Sequence, residues 1–292
     1  MTEKKYHVDG ELVPASEATV NVRDRGFMYG DGAFETLRVY DGTPFEWEAH
    51  ADRLRRSCET LGFADSLPTA ENLFDRVTDT VSANGLRDAY AKLSVTRGVQ
   101  PGKLTPGQAV DPTIVVFVSD LPRGGLAGER VWNEPASLGL VERIRIPSEA
   151  IPAGAKTHNY LNGILARLDI RDSGHDEAIM CSGDGFLTEG ATSNLFFVVD
   201  GTLHTPAASL PLLPGVTRGV VLELADEAGI PVETGAYEPA MLKRASEVFV
   251  TNSTWEIRPV KEIDDREYER GPVTEQLQKR FDERIEQLYG DR

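Results

Sequence analysis

Hydrophobic and polar residues alternate with the two-residue period of β-strands in several segments of the first 120 residues. Two hairpins are predicted, at 6–13 (YHVDGELV) and 36–47 (TLRVYDGTPFEW), because each places an Asp-Gly pair between alternating positions. Further strands are predicted at 89–96 and 113–119. Between them, apolar residues recur at helical spacing, which predicts helices over 48–61, ending at Gly62, and over 70–83. This half of the chain is predicted to be an α+β domain.

The second half repeats this mixture of strands and helices. Strands are predicted near 128–133, 138–144, 176–181, 193–199 and 247–252, and helices over 159–171, from Pro214-Gly215 to Gly229, and over 273–288. The stretch 120–125 (DLPRGG) is typical of a linker. The sequence therefore predicts a two-domain α+β protein, with an N-terminal domain at 1–119, a linker at 120–126 and a C-terminal domain at 127–292.

The net charge of the chain limits the classes of molecule that the protein is expected to bind. The 292 residues carry 47 Asp and Glu against 31 Lys and Arg, a net charge of −16, which disfavours nucleic acid and anionic membranes. No segment reaches the roughly 18 apolar residues that span a bilayer, and the first residues lack the apolar run of a secretion signal. Two cysteines and no Cys/His cluster argue against a disulfide framework or structural metal. We expect a cytoplasmic protein.

Lysine is scarce, with 8 Lys against 23 Arg. An acid-rich, lysine-poor surface suits a halophilic protein, since salt screens the repulsion between carboxylates. An ordinary acidic cytosolic protein is the alternative.

Two segments carry isolated ionisable residues of opposite sign. Lys156 precedes an apolar helix with no acidic residue nearby, so desolvation would lower its pKa and favour the free amine that imine chemistry needs. The alternative is a surface lysine before a helix. Glu189 stands among small residues that would let a flat ring approach the backbone. A carboxylate there would keep a ring nitrogen protonated. The alternative is that Glu189 only caps the backbone of the local turn.

Two further segments are suited to an anion. Residues 213–219 (LPGVTRG) begin a helix, whose free N–H groups and dipole favour negative charge. Many helices that begin with Pro-Gly bind nothing, however. Arg53 is predicted on the first helix, where a solvated arginine is the ordinary alternative.

Six blocks of the sequence follow one another at a recognisable spacing. They are 24–36 (DRGFMYGDGAFET), 50–54 (HADRL), 156–162 (KTHNYLN), 188–196 (TEGATSNLF), 213–218 (LPGVTR) and 251–256 (TNSTWE). Their order and spacing resemble the class IV aminotransferases, the fold type IV enzymes that use pyridoxal 5′-phosphate. The resemblance covers nearly the whole chain.

The resemblance implies a role for each matched residue. Lys156 would hold the cofactor as a Schiff base and move the substrate proton, Glu189 would pair with the pyridine nitrogen, and Tyr160 would bond the ring hydroxyl. Tyr160 follows the lysine one residue sooner than in typical branched-chain enzymes. The phosphate cup would comprise Arg53, Val216, Thr217, Asn252 and Ser253. The family also implies an active site between the domains and a homodimer whose subunits share residues.

The resemblance leaves the reaction open between two candidates. The first is a transaminase acting on a small, branched-chain-like amino acid and a 2-keto acid. The second is a 4-amino-4-deoxychorismate lyase, since Thr36 and Lys92 match the lyases where branched-chain enzymes usually have glycine and arginine. Lys103 would add a second cation, and Tyr29 and Phe34 would line the substrate pocket. The alternatives are that Lys92 and Lys103 are ordinary strand and loop charges and that Phe34 is an ordinary core residue.

Other readings are less consistent with the sequence. A D-amino-acid enzyme is disfavoured, since its Arg-x-His pair falls on Gly102 and Leu104. A non-catalytic cofactor-binding protein would be expected to have lost Lys156 or Glu189, and both are present. An unrelated binding module would be colourless and unaffected by borohydride.

Overall fold

The structure is a computed structural model that describes residues 3–101, 103–107, 110–121 and 134–289. The chain divides into two compact units, Met1–Gly128 with Ala155–Asn159, and Glu129–Gly154 with Tyr160–Arg292. Each unit contains both helices and strands, which confirms the predicted α+β class. In the described ranges, no helix combines the length and the apolar character needed to cross a lipid bilayer.

The first unit contains an antiparallel sheet of six strands in the order β2-β1-β6-β5-β3-β4. The strands are β1 (Lys5–Val8), β2 (Glu11–Pro14), β3 (Gly32–Tyr40), β4 (Thr43–Pro44), β5 (Ala89–Thr96) and β6 (Ile114–Asp120). The helices are α1 (Arg25–Tyr29), α2 (Trp47–Thr60) and α3 (Ala70–Ala83). Apolar residues of α2 and α3, among them Leu54 and Val77, pack with Leu37 and Leu93 of the sheet in one core.

The hairpins form where the Asp-Gly pairs predict turns. Asp9 and Gly10 have φ of 49° and 105°, and Asp41 and Gly42 have φ of 47° and 79°. Both pairs therefore lie in the left-handed region that two-residue hairpin turns require. The second hairpin is shorter than predicted, because β4 ends at Pro44 and α2 begins at Trp47.

The second unit is built on a nine-stranded sheet in the order β12-β11-β10-β13-β14-β7-β8-β9, with β15 beside β14. Its first strands are β7 (Ala136–Ile144), β8 (Glu177–Cys181), β9 (Leu187–Gly190), β10 (Asn194–Val199) and β11 (Thr202–Pro206). The others are β12 (Val232–Gly235), β13 (Glu247–Asn252), β14 (Glu256–Ile263) and β15 (Arg266–Glu267). Strand β9 also pairs with β10, so the path from β10 to β9 closes on itself.

In the part of the chain that the structure describes, three α-helices accompany this sheet. They are α4 (Leu161–Asp169), which contacts β7 and β8, and α5 (Val216–Glu227) and α6 (Pro272–Tyr289), which contact each other and β13. The apolar interior includes Leu138, Ile179, Leu195 and Val250, all fully buried.

The lysine segment groups with the first unit, whereas the sequence-based division places Lys156 in the C-terminal domain. The N–H of His158 donates to the carbonyl of Gly32 (2.9 Å), and Thr157 forms a bridge with Ala33. These bonds attach Ala155–Asn159 to β3. Most of the predicted linker at 120–126 and the whole predicted strand at 128–133 lie outside the described residues, so both remain predictions.

Candidate active site

Lys156 is held by its main chain against β3 and α2 of the first unit. Its N–H donates to the Ser57 hydroxyl (2.9 Å), and its carbonyl accepts from the N–H of Phe34 (3.0 Å). The Ser57 hydroxyl donates in turn to the carbonyl of Arg53 (2.8 Å). The Nζ of Lys156 lies 4.7 Å from the centroid of the Phe34 ring. The fixed main chain thus directs the amine over an aromatic surface.

A second amine lies near the same ring. Lys92 is opposite Thr36 in the β3–β5 register, and its Nζ is 4.3 Å from the Phe34 ring centroid. The pKa of Lys92 is below its ordinary value, first because burial disfavours the ammonium and then because the Lys156 cation repels it. Thr36 hydrogen-bonds the side chain of Tyr90. Four predicted site residues, Lys156, Phe34, Thr36 and Lys92, are therefore neighbours.

His158 adds a neutral ring to this cluster. Its centroid lies 5.8 Å from that of Phe34, and its Nε2 is buried without a hydrogen-bond partner. Burial, and then the charge of Lys92, lower the pKa of His158 to about 4. The imidazole therefore carries no charge at neutral pH.

Arg53 is buried, not solvated. Its Nε donates to Oε1 of Glu35 (2.9 Å) and its Nη2 to Oε2 (2.6 Å), and His50 Nδ1 lies 2.7 Å from the same Oε2. Burial would raise the pKa of Glu35, but the charge and hydrogen bonds of Arg53, with the His50 contact, lower it to about 2. The pKa of His50 is lowered mainly by burial. The two hydrogen bonds that the Arg53 guanidinium donates to the Glu35 carboxylate thus fix its orientation.

Tyr29 and Lys103 belong to a different cluster, organised by Arg25. The Arg25 guanidinium lies 5.0 Å from the Tyr29 ring centroid and donates to the carbonyls of Lys103 (2.8 Å) and Leu104 (2.9 Å). Its Nε donates to Asp31 (2.7 Å). The helix with Tyr29 and the loop with Lys103 are therefore tied together at the surface of the first unit.

In the second unit, three groups hold the Glu189 carboxylate. Arg145 Nε donates to its Oε1 (2.7 Å), and the N–H of Leu213 donates to its Oε2 (2.9 Å). Asn194, its partner in the β9–β10 pair, approaches Oε2 through Nδ2 at 3.5 Å and donates to the Leu213 carbonyl (2.9 Å). The carboxylate is thus tied to the segment that leads into α5.

The start of α5 lacks a side-chain cap. Gly215 is the N-cap residue and forms no side-chain hydrogen bond, so capping does not consume the N–H groups of Val216 and Thr217. A Cβ at position 215 would lie 2.1 Å from Oδ1 of Asn194. The absence of a side chain at Gly215 therefore lets the helix start approach Asn194.

The remaining predicted residues also lie in the second unit. Tyr160 immediately precedes α4, and its carbonyl accepts from the N–H of Ile164 (3.0 Å). Asn252 ends β13, where its Oδ1 accepts from the N–H groups of Thr254 (3.0 Å) and Trp255 (2.7 Å). Ser253 lies in this turn.

Several residues that contact predicted site residues have no predicted role, and Glu35, Ser57 and Arg145 are among them. Glu35 pairs with Arg53, Ser57 accepts from the Lys156 N–H, and Arg145 pairs with Glu189. Glu35 lies between Phe34 and Thr36, and it is the one acidic residue of β3, which is an available signal. Ser57 and Arg145 had none.

The donor set suits pyridoxal phosphate. The first unit provides an amine, the type of group that reacts with an aldehyde. The second unit provides a paired carboxylate and an uncapped helix start, the types of group that bind a protonated ring nitrogen and a phosphate. The side-chain-free Gly215 leaves the helix start open to an anion. We find no misfit between the residues present and the group.

Two relatives of known name are similar to this chain over nearly its whole length. A provisionally named branched-chain-amino-acid aminotransferase of Methanocaldococcus jannaschii is 38% identical over 95% of both chains. A D-alanine aminotransferase of Listeria innocua is 33% identical over 98% of both.

Two solved structures are also similar to this chain over nearly its whole length. The branched-chain aminotransferase of Thermoproteus uzoniensis, solved with norvaline, superposes with a TM-score of 0.90 at 31% identity, over 99% of this chain and 96% of that one. The 4-amino-4-deoxychorismate lyase of Pseudomonas aeruginosa gives 0.81 at 34% identity, over 98% and 100%.

The model of the family described as amino-transferase class IV matches residues 32–263, which include Arg53, Lys156 and Glu189. Because that match covers most of the chain, and because the relatives cover it almost completely, this protein belongs to the class IV aminotransferases, a family of pyridoxal-phosphate-dependent enzymes with the fold type IV architecture.

Proposed function

We propose that the protein is a transaminase that moves an amino group between a small apolar α-amino acid, of the branched-chain type, and a 2-keto acid. The observation that carries the proposal is the position of the Lys156 amine, 4.7 Å from the Phe34 ring centroid beside a second amine from Lys92. When bound, pyridoxal phosphate supplies an electron sink for the electrons of the substrate's Cα–H bond.

The residues of this chain would divide the work of holding the cofactor. Lys156 would bind it covalently through Nζ, and Glu189, oriented by Arg145, would accept the hydrogen bond of the protonated ring nitrogen. Tyr160 would bond the ring hydroxyl. Arg53, the N–H groups of Val216 and Thr217, and the turn with Asn252 and Ser253 would bind the phosphate.

The substrate would be held by the cluster around Phe34. Lys92 would pair with a substrate carboxylate, since a half-buried cation binds an anion more strongly than an exposed one. Phe34 would limit the side chain by contact, and the neutral His158 adds no competing charge. Lys156 would then move the proton at the substrate Cα.

We further propose a homodimer that uses the surface around Arg25. Apolar side chains are exposed there on α1 and on the loops tied to it, which is typical of a surface that a partner covers. They are Val22, Phe27, Met28, Val99 and Leu104. Tyr29 and Lys103 lie in the same cluster and would then reach the site of the partner subunit. Analytical ultracentrifugation of Phe27→Glu against the native chain tests this assembly.

The transaminase proposal is tested by a half-reaction on the purified protein with its cofactor. L-leucine, L-glutamate and D-alanine are added separately, and the visible absorbance band of the bound cofactor is followed. Loss of the band with leucine, and its return with a 2-keto acid, is the expected result. A band that none of these amino acids changes would refute the proposal.

A 4-amino-4-deoxychorismate lyase is the second candidate. It is favoured by the hydroxyl of Thr36, which bonds Tyr90 beside Lys92, and by the similarity to the Pseudomonas aeruginosa lyase. In that case the cofactor band stays unchanged while pyruvate and 4-aminobenzoate appear from aminodeoxychorismate. Lys92→Ala would then reduce this reaction far more than any reaction of leucine.

We also propose that the enzyme is cytoplasmic and adapted to high salt. The net charge of −16 and the 8 lysines against 23 arginines support this, because added salt screens repulsion between carboxylates. Stability that rises steadily with KCl concentration is expected, and stability that falls would contradict salt adaptation.

A further inference from the structure

A fully buried carboxylate lies at the start of β8. Glu177 is 0% exposed, and its Oε2 accepts from the N–H (3.0 Å) and hydroxyl (2.6 Å) of Thr192 and from the hydroxyl of Ser193 (3.2 Å). Its Oε1 accepts from the N–H of Ala178 (2.9 Å) and lies 3.6 Å from Nη1 of Arg167. Four donors and a cation thus compensate the burial of this charge.

Glu177 holds the turn between β9 and β10. In that turn the N–H of Gly190 donates to the carbonyl of Ser193 (2.7 Å). A Cβ at position 190 would lie 2.4 Å from the Ser193 hydroxyl and 3.0 Å from Cγ of Glu177. The carboxylate and the turn therefore fit together with no space for another atom, which fixes the path of the turn.

The same turn determines where Glu189 points. Glu189 lies in β9, one residue before its end, and Asn194 begins β10, and the two residues form the pair that joins the strands. Asn194 in turn connects the Glu189 carboxylate to the Leu213 carbonyl. A displaced turn would shift both side chains relative to Arg145 and to the segment before α5.

We propose that Glu177 is a positioning residue for Glu189, and that it acts through the hydrogen bonds to Thr192 and Ser193. This inference rests on the proposed function, in which Glu189 accepts from the ring nitrogen of the cofactor. Glu177 itself is placed outside the reacting atoms. Its loss therefore weakens cofactor binding through the misplaced Glu189 carboxylate.

The chain contains a matched control for this carboxylate. Glu247, at the start of β13, is also buried, and it accepts from the N–H (2.8 Å) and hydroxyl (2.7 Å) of Thr274. A glycine, Gly271, packs against it as Gly190 packs against Glu177. Glu247 holds the first turn of α6, away from the Glu189 turn, so an equivalent substitution there reports only the structural cost.

The test compares Glu177→Gln with Glu247→Gln. Cofactor affinity is measured by titrating the cofactor-free proteins with pyridoxal phosphate, and hydrogen exchange is measured at the amides of residues 190–194. An amide nitrogen facing the Thr192 N–H cannot accept its bond, so Glu177→Gln should weaken cofactor binding about 10-fold or more and speed exchange at Thr192. Glu247→Gln should change affinity less than about 2-fold, at a similar loss of stability.

A second pair keeps the test decisive if Glu177→Gln does not fold. Thr192→Val and Thr274→Val each remove one hydroxyl donor from the two carboxylates and keep the side-chain shape. Lower cofactor affinity in Thr192→Val alone supports the positioning role. Equal affinity losses within either pair, or none, overturn it. If the native protein itself binds no cofactor, the proposed function fails, and the role of Glu177 fails with it.

Discussion

Replacing Glu35 by glutamine should destabilise the protein strongly, because Glu35 is the anion of a buried ion pair. The carboxylate is 1% exposed and receives two hydrogen bonds from Arg53 and a contact from His50. Its pKa is about 2 instead of the ordinary 4.5. That difference corresponds to about 3 kcal/mol of stability at neutral pH, similar to the cost of leaving a buried cation without its partner.

The pH dependence follows from the direction of the shift. A carboxylate with a lowered pKa contributes fully above the pKa of the unfolded chain, near 4.5, and loses that contribution as the pH falls toward 2. The difference in unfolding free energy between the native protein and Glu35→Gln should thus be constant above pH 5 and shrink below it.

Urea unfolding of the cofactor-free protein, followed by tryptophan fluorescence, measures these free energies. Glu59→Gln is the control on the same helix, because Glu59 pairs with Arg55 at the exposed surface and should change stability by at most about 0.5 kcal/mol. Adding Arg53→Met to Glu35→Gln should recover part of the loss, since it removes the unpaired cation. A loss below about 1 kcal/mol, or a pH-independent difference between pH 5 and pH 2.5, would refute the reasoning.

Three other predictions follow from the site. Gly215→Ala should weaken cofactor binding about 10-fold, because its Cβ would lie 2.1 Å from Asn194 Oδ1. Gly219→Ala, on the same helix, meets no atom within 4 Å and should leave cofactor affinity unchanged. Equal cofactor affinities of the two variants would contradict this prediction. His158, with a pKa of about 4, should stay neutral in NMR titrations down to about pH 5. Because the unfolded chain binds this proton more readily, the protein should lose stability as the pH falls from 6.5 toward 4. A ring that titrates near 6.5 would be evidence against its burial. Lys92→Met should raise the KM for leucine about 10-fold through loss of a charged hydrogen bond, and an unchanged KM would remove Lys92 from the carboxylate site.

The local pattern of apolar and polar residues is sufficient to predict most helices and strands of the fold. Helix 70–83 and strands 89–96 and 247–252 were predicted with the bounds that the structure shows, because periodicity and turn residues agree there. Strand β14 was missed, since Pro259 lies inside it and proline is disfavoured in strands. Its pairing with β13 and β7 depends on distant parts of the chain, which local pattern does not report.

The sequence likewise predicts some residues of the candidate site but not the contacts that hold them. The sequence blocks identified Lys156 and Glu189 but gave no information about what holds them, because Ser57 and Arg145 are distant in sequence. Arg53 illustrates the limit most clearly, since its helix position suggests solvent, and only the placement of β3 brings Glu35 against it. Such contacts between side chains are set by tertiary packing.

We propose that Lys156 binds pyridoxal phosphate covalently, and the other proposed roles depend on this bond. Borohydride reduction of the yellow protein tests it. The reduced protein is digested and its peptides are analysed by mass spectrometry, with Lys156→Ala as the control. We expect one phosphopyridoxyl group, on the peptide that contains Lys156, and none in the variant. A label on another lysine, or a native protein that acquires no label, would rule out covalent attachment at Lys156.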